Sequence, residues 1–319
     1  MKIIFMGTPD FSVNTLDALV SAGHNVVLVV SQPDKPKGRS KEPQFSPVKR
    51  AAIKYSLPVY QPTSLRTEEA VKYLRACKAD IMVVVAFGQI LPKVVLEMTT
   101  YGCINVHASL LPAYRGAAPI QWPIINGDKK TGVTIIQMDE GIDTGDMILK
   151  EEIPINDQET ASTLHDELAK LGAKLCVKAL KQIEDNTVIY QPQQETTTSY
   201  AKMLTKEMGR ISWSKSAVEI ERLVRGLNPW PGVYTFLDGK ELKVWKARIV
   251  DCDCGQCQEW SIQDNYQIGA VVHVGNDKLV IKTGNGLLEL LEIQLSGKKR
   301  MEIDAFLRGN KINPGTVLD

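Results

Sequence analysis

Apolar positions along the first half of the chain recur with two alternating periods. KIIFMG (2–7) and NVVLVV (25–30) are short continuous apolar runs of strand length. Between them Phe11, Val13, Leu16, Leu19 and Val20 fall at helical spacing, opened by Pro9 and ended by Gly23. The alternation continues through the helical SPVKRAAIKYS and TEEAVKYLRAC and the strand-like PVYQ, DIMVVVAF, CINVHAS and GVTIIQM. DIMVVVAF offers no polar face, as expected of a strand covered on both sides. The pattern predicts an α/β fold: a doubly wound, mostly parallel sheet with helices on both faces.

A hairpin-like segment, MILKEEIPI, precedes a long amphipathic helix from about Thr160 to Asp185, with Leu164, Leu168, Leu171, Leu175 and Leu180 near helical spacing. The polar, Gln- and Thr-rich YQPQQETTTSYAKMLTKEMG then breaks the pattern and reads as a linker. One more helix, SAVEIERLVRGL, leads into GVYTFL, ELKVWKARIV, AVVHVG, KLVIKTG and LLELLEIQL. Strands separated by Gly, Asp and Asn turns predict a small antiparallel, OB-like β-barrel. The expected organisation is an α/β domain at 1–189, a linker at 190–209 and a β-rich domain at 210–319.

Composition narrows the class. With 319 residues, 44% hydrophobic and 24% charged, the chain has material for two cores, and no apolar run is long enough to span a membrane. MKIIFMGTPDFS enters a strand at once and lacks a signal-peptide pattern, so a cytoplasmic protein is expected. Net charge is only +1, but seven basic residues between Asp34 and Lys54 face two acids there. Cys252, Cys254 and Cys257 supply three of the four ligands a structural zinc needs; no second CxxC or HxxxH follows, and no metal is expected.

Ligands of open α/β sheets bind outside the carboxyl ends of the strands, where GTPDFS, NVHASLLP and DEGIDTGD (139–146) are expected to gather. GTPDFS lacks the later glycines of a dinucleotide fingerprint, which argues against a nicotinamide enzyme. Asn105 and His107, two apart on a strand, should point to one side. An imidazole can take a proton from an attacking amine, an amide N–H₂ can donate to a carbonyl oxyanion, and the carboxylate of Asp143 can orient the imidazole. These are parts for acyl transfer to nitrogen without a covalent enzyme intermediate; a buried structural network would use the same residues. No GxSxG elbow is present, and Cys103 is expected to face away from His107.

FMGTPDFS, QPDKPKGR, AFGQILP, NVHASLLPAYRGAAPIQW and DEGIDTGDM, in that order, resemble the methionyl-tRNA formyltransferase family. The likeness continues through KMLTKEMGRISW, RGLNPWPG, LKVWKA and SGKKRM. It implies a formyltransferase-like Rossmann variant followed by an OB-like domain that contacts tRNA. It implies transfer of a formyl group from 10-formyltetrahydrofolate to the α-amino group of initiator methionyl-tRNA, by a monomer without metal.

By the same resemblance Asn105, His107 and Asp143 are the catalytic trio and Ser109, Leu110, Leu111 and Pro112 contact the folate, with Phe87, Gly88, Ile90 and Leu91 an apolar wall beside them. Arg39, Lys37 and Lys41 of the basic loop would reach the tRNA acceptor end, with Arg39 best suited to a forked contact. Residues 210–319 hold 15 basic and 14 acidic side chains, so only the local cluster Lys298, Lys299 and Arg300, with Lys206 before it, offers a phosphate-binding edge. The alternatives are a folate-dependent formyltransferase acting on a sugar nucleotide or other small amine, and a noncatalytic protein that binds tRNA or folate.

Overall fold

The computed structural model describes residues 1–36, 43–194, 200–250 and 266–319. Lys37, Arg39, Lys41, Cys252, Cys254 and Cys257, singled out above, lie outside the described residues. By contacts the chain divides into two units: 1–119, 130–154 and 165–202 form one, and 120–129, 155–164 and 203–319 form the other.

The first unit is organised by β1 (Lys2–Gly7), β2 (Asn25–Val30), the short pair β3 (Lys35–Pro36) and β4 (Pro43–Gln44), β5 (Val59–Tyr60), β6 (Ile81–Val85), β7 (Cys103–His107), β8 (Lys130–Gln137) and β9 (Met147–Pro154). Seven of these make one sheet in the order β5-β2-β1-β6-β7-β8-β9. From β5 to β7 neighbouring strands run parallel; β8 and β9 are antiparallel. Ile4, Met6, Leu28, Val30, Met82, Val84 and Cys103 share a buried cluster on one face, where Leu65, Leu74 and Val95 cover them. On these strands alternate residues face one side, so Asn105 and His107 continue that face towards the carboxyl end of β7.

Helices α1 (Phe11–Ser21), α2 (Pro47–Lys54), α3 (Glu68–Ala76) and α4 (Lys93–Leu96) connect the parallel strands; α5 (Gln121–Asn126) falls in the second unit, and most of α6 (Ala161–Glu184) in the first. The N-caps are local and chemical: Asp10 accepts from the Phe11 N–H, Ser46 from Lys49 and Thr67 from Ala70. Gly172 of α6 lies so close to the sheet that a Cβ would meet Val106 Cγ1 at 2.7 Å.

In the second unit, α7 (Ala217–Gly226) begins with a capping box between Ser216 and Glu219. Next come β10 (Val233–Leu237), β11 (Lys240–Ile249), β12 (Val271–Val274), β13 (Leu279–Lys282), β14 (Leu287–Leu295), β15 (Met301–Glu302) and α8 (Ile303–Gly309). The sheet order is β10-β11-β14-β13-β12, all antiparallel, with β15 added beside β14, giving the expected barrel-like domain. Trp213 is buried and donates through Nε1 to Thr235 Oγ1, whereas Trp230 is exposed. No described helix is long and apolar enough to cross a membrane.

Strand direction corrects one expectation. Because β8 runs against β7, its carboxyl end lies beside the amino end of β7: Gln137 pairs with Ile104 and Thr134 with His107. DEGIDTGD therefore leaves the sheet at the opposite edge from GTPDFS and HASLLP, and reaches Asn105 and His107 by folding back along β7. The apolar run GVTIIQM itself carries no mark of its direction.

Candidate active site

Three polar groups meet over the carboxyl half of β7. His107 is buried and Asn105 half-buried. Asn105 Nδ2 donates to Asp143 Oδ1 at 3.5 Å, and His107 Nδ1 lies 3.5 Å from the same oxygen. The second oxygen, Oδ2, accepts from the Gly116 N–H at 2.9 Å. Asp143 holds φ +55°, a left-handed backbone conformation that aspartate tolerates better than most residues.

His107 Nε2 lies 3.0 Å from the Tyr114 carbonyl. A carbonyl only accepts, so this contact holds the hydrogen on Nε2 and leaves the Nδ1 lone pair facing Asp143. A proton arriving at Nδ1 would complete a bond to the carboxylate, giving an imidazole poised to receive one proton beside an acceptor of charge.

The loop after His107 is braced from below. Thr134 Oγ1 donates to the Ser109 carbonyl at 2.7 Å and accepts from the Leu111 N–H at 3.1 Å, while Ser109 Oγ donates to the Ala113 carbonyl at 2.7 Å. Ser109 and Leu111 are thereby buried in the base of the loop, and Leu110 and Pro112 are half-buried. In AFGQILP, Phe87 and Leu91 turn into the core cluster, Gly88 adopts φ +82°, and Ile90 is exposed. The Phe87 carbonyl accepts from Thr8 Oγ1 at 3.1 Å and Gln32 Nε2 at 3.3 Å, tying the ends of β1, β2 and β6 together.

Cys103 shares the strand parity of Asn105 and His107, contrary to the expectation that it faces away. Burial, rather than direction, removes it from chemistry: its thiol is pushed up to about 12 by desolvation. Among the described residues no group of acidic, His or Cys side chains is arranged to hold a metal ion.

At the base of the basic loop, Lys49 Nζ is 2.5 Å from Asp34 and donates to Gln61 Oε1 at 2.7 Å. Desolvation opposes ionisation of Asp34 most strongly, but the bonds from Lys49 and Gln61 and the lysine charge together hold its carboxyl below the ordinary range. Lys206, Lys298 and Lys299 are exposed. Arg300 instead pairs with Glu292 and lies 4.7 Å over the Trp245 ring.

Sequence reasoning missed the supporting groups. The Tyr114 carbonyl and the Gly116 N–H are main-chain atoms without a side-chain signature. Gln193 stands in what reads as polar linker, yet its Nε2 donates to the carbonyls of Asp143 (2.8 Å) and Gly145 (2.7 Å). Its Oε1 accepts from Arg115 Nε at 3.0 Å and Nη2 at 2.6 Å.

Residues 1–180 match the formyl transferase family model, and residues 203–311 match the model of the formyl transferase C-terminal domain. The methionyl-tRNA formyltransferase of Agathobacter rectalis is 54% identical over 316 residues, covering 99% of each chain. That of Lachnospira eligens is 49% identical, covering 100% of this chain and 99% of its own. Among solved structures, an N-formyltransferase from Helicobacter canadensis in complex with folinic acid and dTDP-3-aminofucose matches with a TM-score of 0.62 at 20% identity, covering 91% of this chain and 98% of that one. At that identity the likeness is one of fold.

Proposed function

The chain belongs to the methionyl-tRNA formyltransferase family, and we propose that Asn105, His107 and Asp143 are the groups with which it carries out that family's reaction. The reaction moves the formyl group of 10-formyltetrahydrofolate to the α-amino group of methionyl-tRNA; the acceptor proposed is the initiator species. The observation that carries the residue assignment is the convergence of Asn105 Nδ2 and His107 Nδ1 on one carboxylate oxygen, each at 3.5 Å.

A free α-amino group titrates at about 7.7–8.0, so a neutral nucleophile is available near physiological pH. Positioning and proton removal are what the protein must add. Asn105 donates to the oxyanion that grows as the amine attacks the formyl carbon. His107, its Nε2–H fixed by Tyr114, offers Nδ1 to the departing amine proton, and Asp143 balances the charge. Ser109, Leu110, Leu111, Pro112 and the Phe87–Leu91 segment form the folate side of the reading, supported by their place at the same ends of β6 and β7.

Residues 1–189 carry the chemistry, 190–209 connect, and 210–319 contact tRNA; the two family matches at 1–180 and 203–311 support a two-domain division, the second beginning within the connector. Arg39, Lys37 and Lys41 approach the acceptor end, while Lys206, Lys298 and Lys299 offer exposed charge to the phosphates. Arg300 would have to leave Glu292 to join them. A monomer suffices, since the trio and its supporting groups come from one chain, and a tRNA acceptor puts the reaction in the cytoplasm.

The test is formyl transfer from 10-formyltetrahydrofolate with initiator methionyl-tRNA, elongator methionyl-tRNA and glycinamide ribonucleotide as competing acceptors. The expected result is formylation of the initiator, reduced roughly 10²–10⁴-fold in His107→Ala, the usual range for a positioned acid–base group. Turnover confined to the small acceptor would overturn the tRNA reading, and a wild-type rate in the variant would remove His107 from the chemistry.

A further inference from the structure

We infer that Gln193, a residue of the polar connector, is a positioning residue that holds the Asp143 carboxylate in register with His107; the inference rests on the catalytic reading of Asp143 given above. Asp143 starts at a disadvantage. Its loop leaves the sheet at the edge opposite to the carboxyl end of β7, and no strand hydrogen bond fixes its height above Asn105 and His107. What fixes it is a set of contacts from three separate segments.

Gln193 supplies the central one. A primary amide has two N–H donors and two lone pairs on oxygen, and all four are used. Both donors go to the catalytic loop, to the carbonyls on either side of Thr144 (Asp143, 2.8 Å; Gly145, 2.7 Å). Both lone pairs take the Arg115 guanidinium, at 3.0 and 2.6 Å. Arg115 directly precedes Gly116, whose N–H donates to Asp143 Oδ2. The amide therefore closes a ring: Asp143 backbone, Gln193, Arg115, Gly116, Asp143 carboxylate.

The same connector is anchored on both sides of this ring. Gln191 exchanges backbone hydrogen bonds with Met147 at 2.8 and 2.9 Å. Ala201 donates to the Arg115 carbonyl at 2.8 Å and accepts from Ala117 at 2.8 Å. The two loops that bring Asp143 to His107 are thus joined to each other through residues more than forty positions away in sequence.

No other side chain of this length serves both sides. Glutamate keeps the acceptor for Arg115 but turns an oxygen towards two carbonyl oxygens. Lysine donates but cannot accept. Asparagine has the right chemistry and is one methylene short. The signature of Gln193 is therefore an amide requirement, not merely a filled volume.

The experiment measures kcat and KM for methionyl-tRNA formylation in wild type, Gln193→Ala, Gln193→Glu, Asp143→Ala and Asp143→Ala/Gln193→Ala, with a thermal melt of each. Displacing a catalytic group by a fraction of its working geometry should lower kcat about 10- to 100-fold in Gln193→Ala and leave KM for both substrates near wild type. Gln193→Glu, of equal length, should be no better than alanine. Because Gln193 acts through Asp143, the double variant should be no slower than Asp143→Ala alone. Wild-type turnover in either Gln193 variant while Asp143→Ala is impaired would overturn the inference. So would a loss on adding Gln193→Ala to Asp143→Ala equal to its loss in the wild-type background. Wild-type turnover in Asp143→Ala would instead overturn the catalytic reading on which the inference stands.

Discussion

Asp143→Asn asks whether the site needs a carboxylate or only a polar group of that shape. The native side chain is an acceptor on both oxygens: Asn105 and His107 stand at 3.5 Å from Oδ1, and the Gly116 N–H at 2.9 Å from Oδ2. An amide has one acceptor oxygen. If that oxygen is kept for Gly116, the new N–H₂ points at the N–H₂ of Asn105 and donates to Nδ1 of His107. That donation occupies the lone pair meant for the amine proton. If the amide is turned over, two N–H groups oppose each other at Gly116 and the loop loses its anchor. The first orientation is the cheaper one, so the variant should fold.

Hydrogen bonds to a charged partner contribute about 1.5–3 kcal/mol against about 0.5–1.5 for neutral ones, so the exchange should cost roughly 1–2 kcal/mol of stability. That corresponds to a melting temperature lower by several degrees, at about 2–4 °C per kcal/mol for a domain of this size. The rate should fall much further, by roughly 10²–10⁴-fold, because the proton acceptor is blocked and its counter-charge removed. Single-turnover formylation of methionyl-tRNA at saturating formyl donor, read beside a thermal melt, separates the two effects. A folded Asp143→Asn protein with the wild-type rate would refute the assignment of the carboxylate.

Thr134→Val keeps volume but strands the buried Leu111 N–H and Ser109 carbonyl, and should cost about 2–3 kcal/mol; an unchanged urea midpoint would show that the loop rests on something else. Asp34→Asn should destabilise the native protein at neutral pH. Since its folded carboxyl titrates below the unfolded value of about 3.9, that contribution is present above this value and disappears as pH falls through the depressed folded one. Urea titrations of both proteins across that range check the sign. Thiols pushed up to about 12 should leave Cys103 and Cys176 unlabelled by an alkylating reagent at about pH 8, where half-exposed Cys77 reacts slowly but measurably. Peptide mapping by mass spectrometry reads this, and native labelling at Cys176 would contradict its burial.

What could be read from the sequence followed from periodicity. Continuous apolar runs gave the buried strands, and the two-residue spacing of Asn105 and His107 gave their common face. What could not be read depended on direction and on main-chain atoms. GVTIIQM looks the same whether its strand runs with or against β7, so the edge from which Asp143 approaches was hidden. The Tyr114 carbonyl and the Gly116 N–H leave no trace in residue type. Gln193 was visible only as one of several glutamines in a polar stretch, because its four partners are distant in the chain. The pairing of Arg300 with Glu292 likewise required knowing that β14 and β15 are neighbours.

The return of Asp143 across β7 has a consequence for the order in which the enzyme becomes competent during synthesis. Asn105 and His107 can take their places as soon as β6 to β8 are made, because strand pairing sets their face and the Tyr114 carbonyl, which lies between β7 and β8, holds the imidazole. The carboxylate waits longer for its full support: Gln193, which holds the carbonyls of Asp143 and Gly145, emerges more than fifty positions after the end of β8. A nascent chain released just past α6 would present a completed sheet with two of the three proposed catalytic side chains aligned and the third less firmly held. Competence is therefore acquired at the connector, after the architecture that displays the site is already in place.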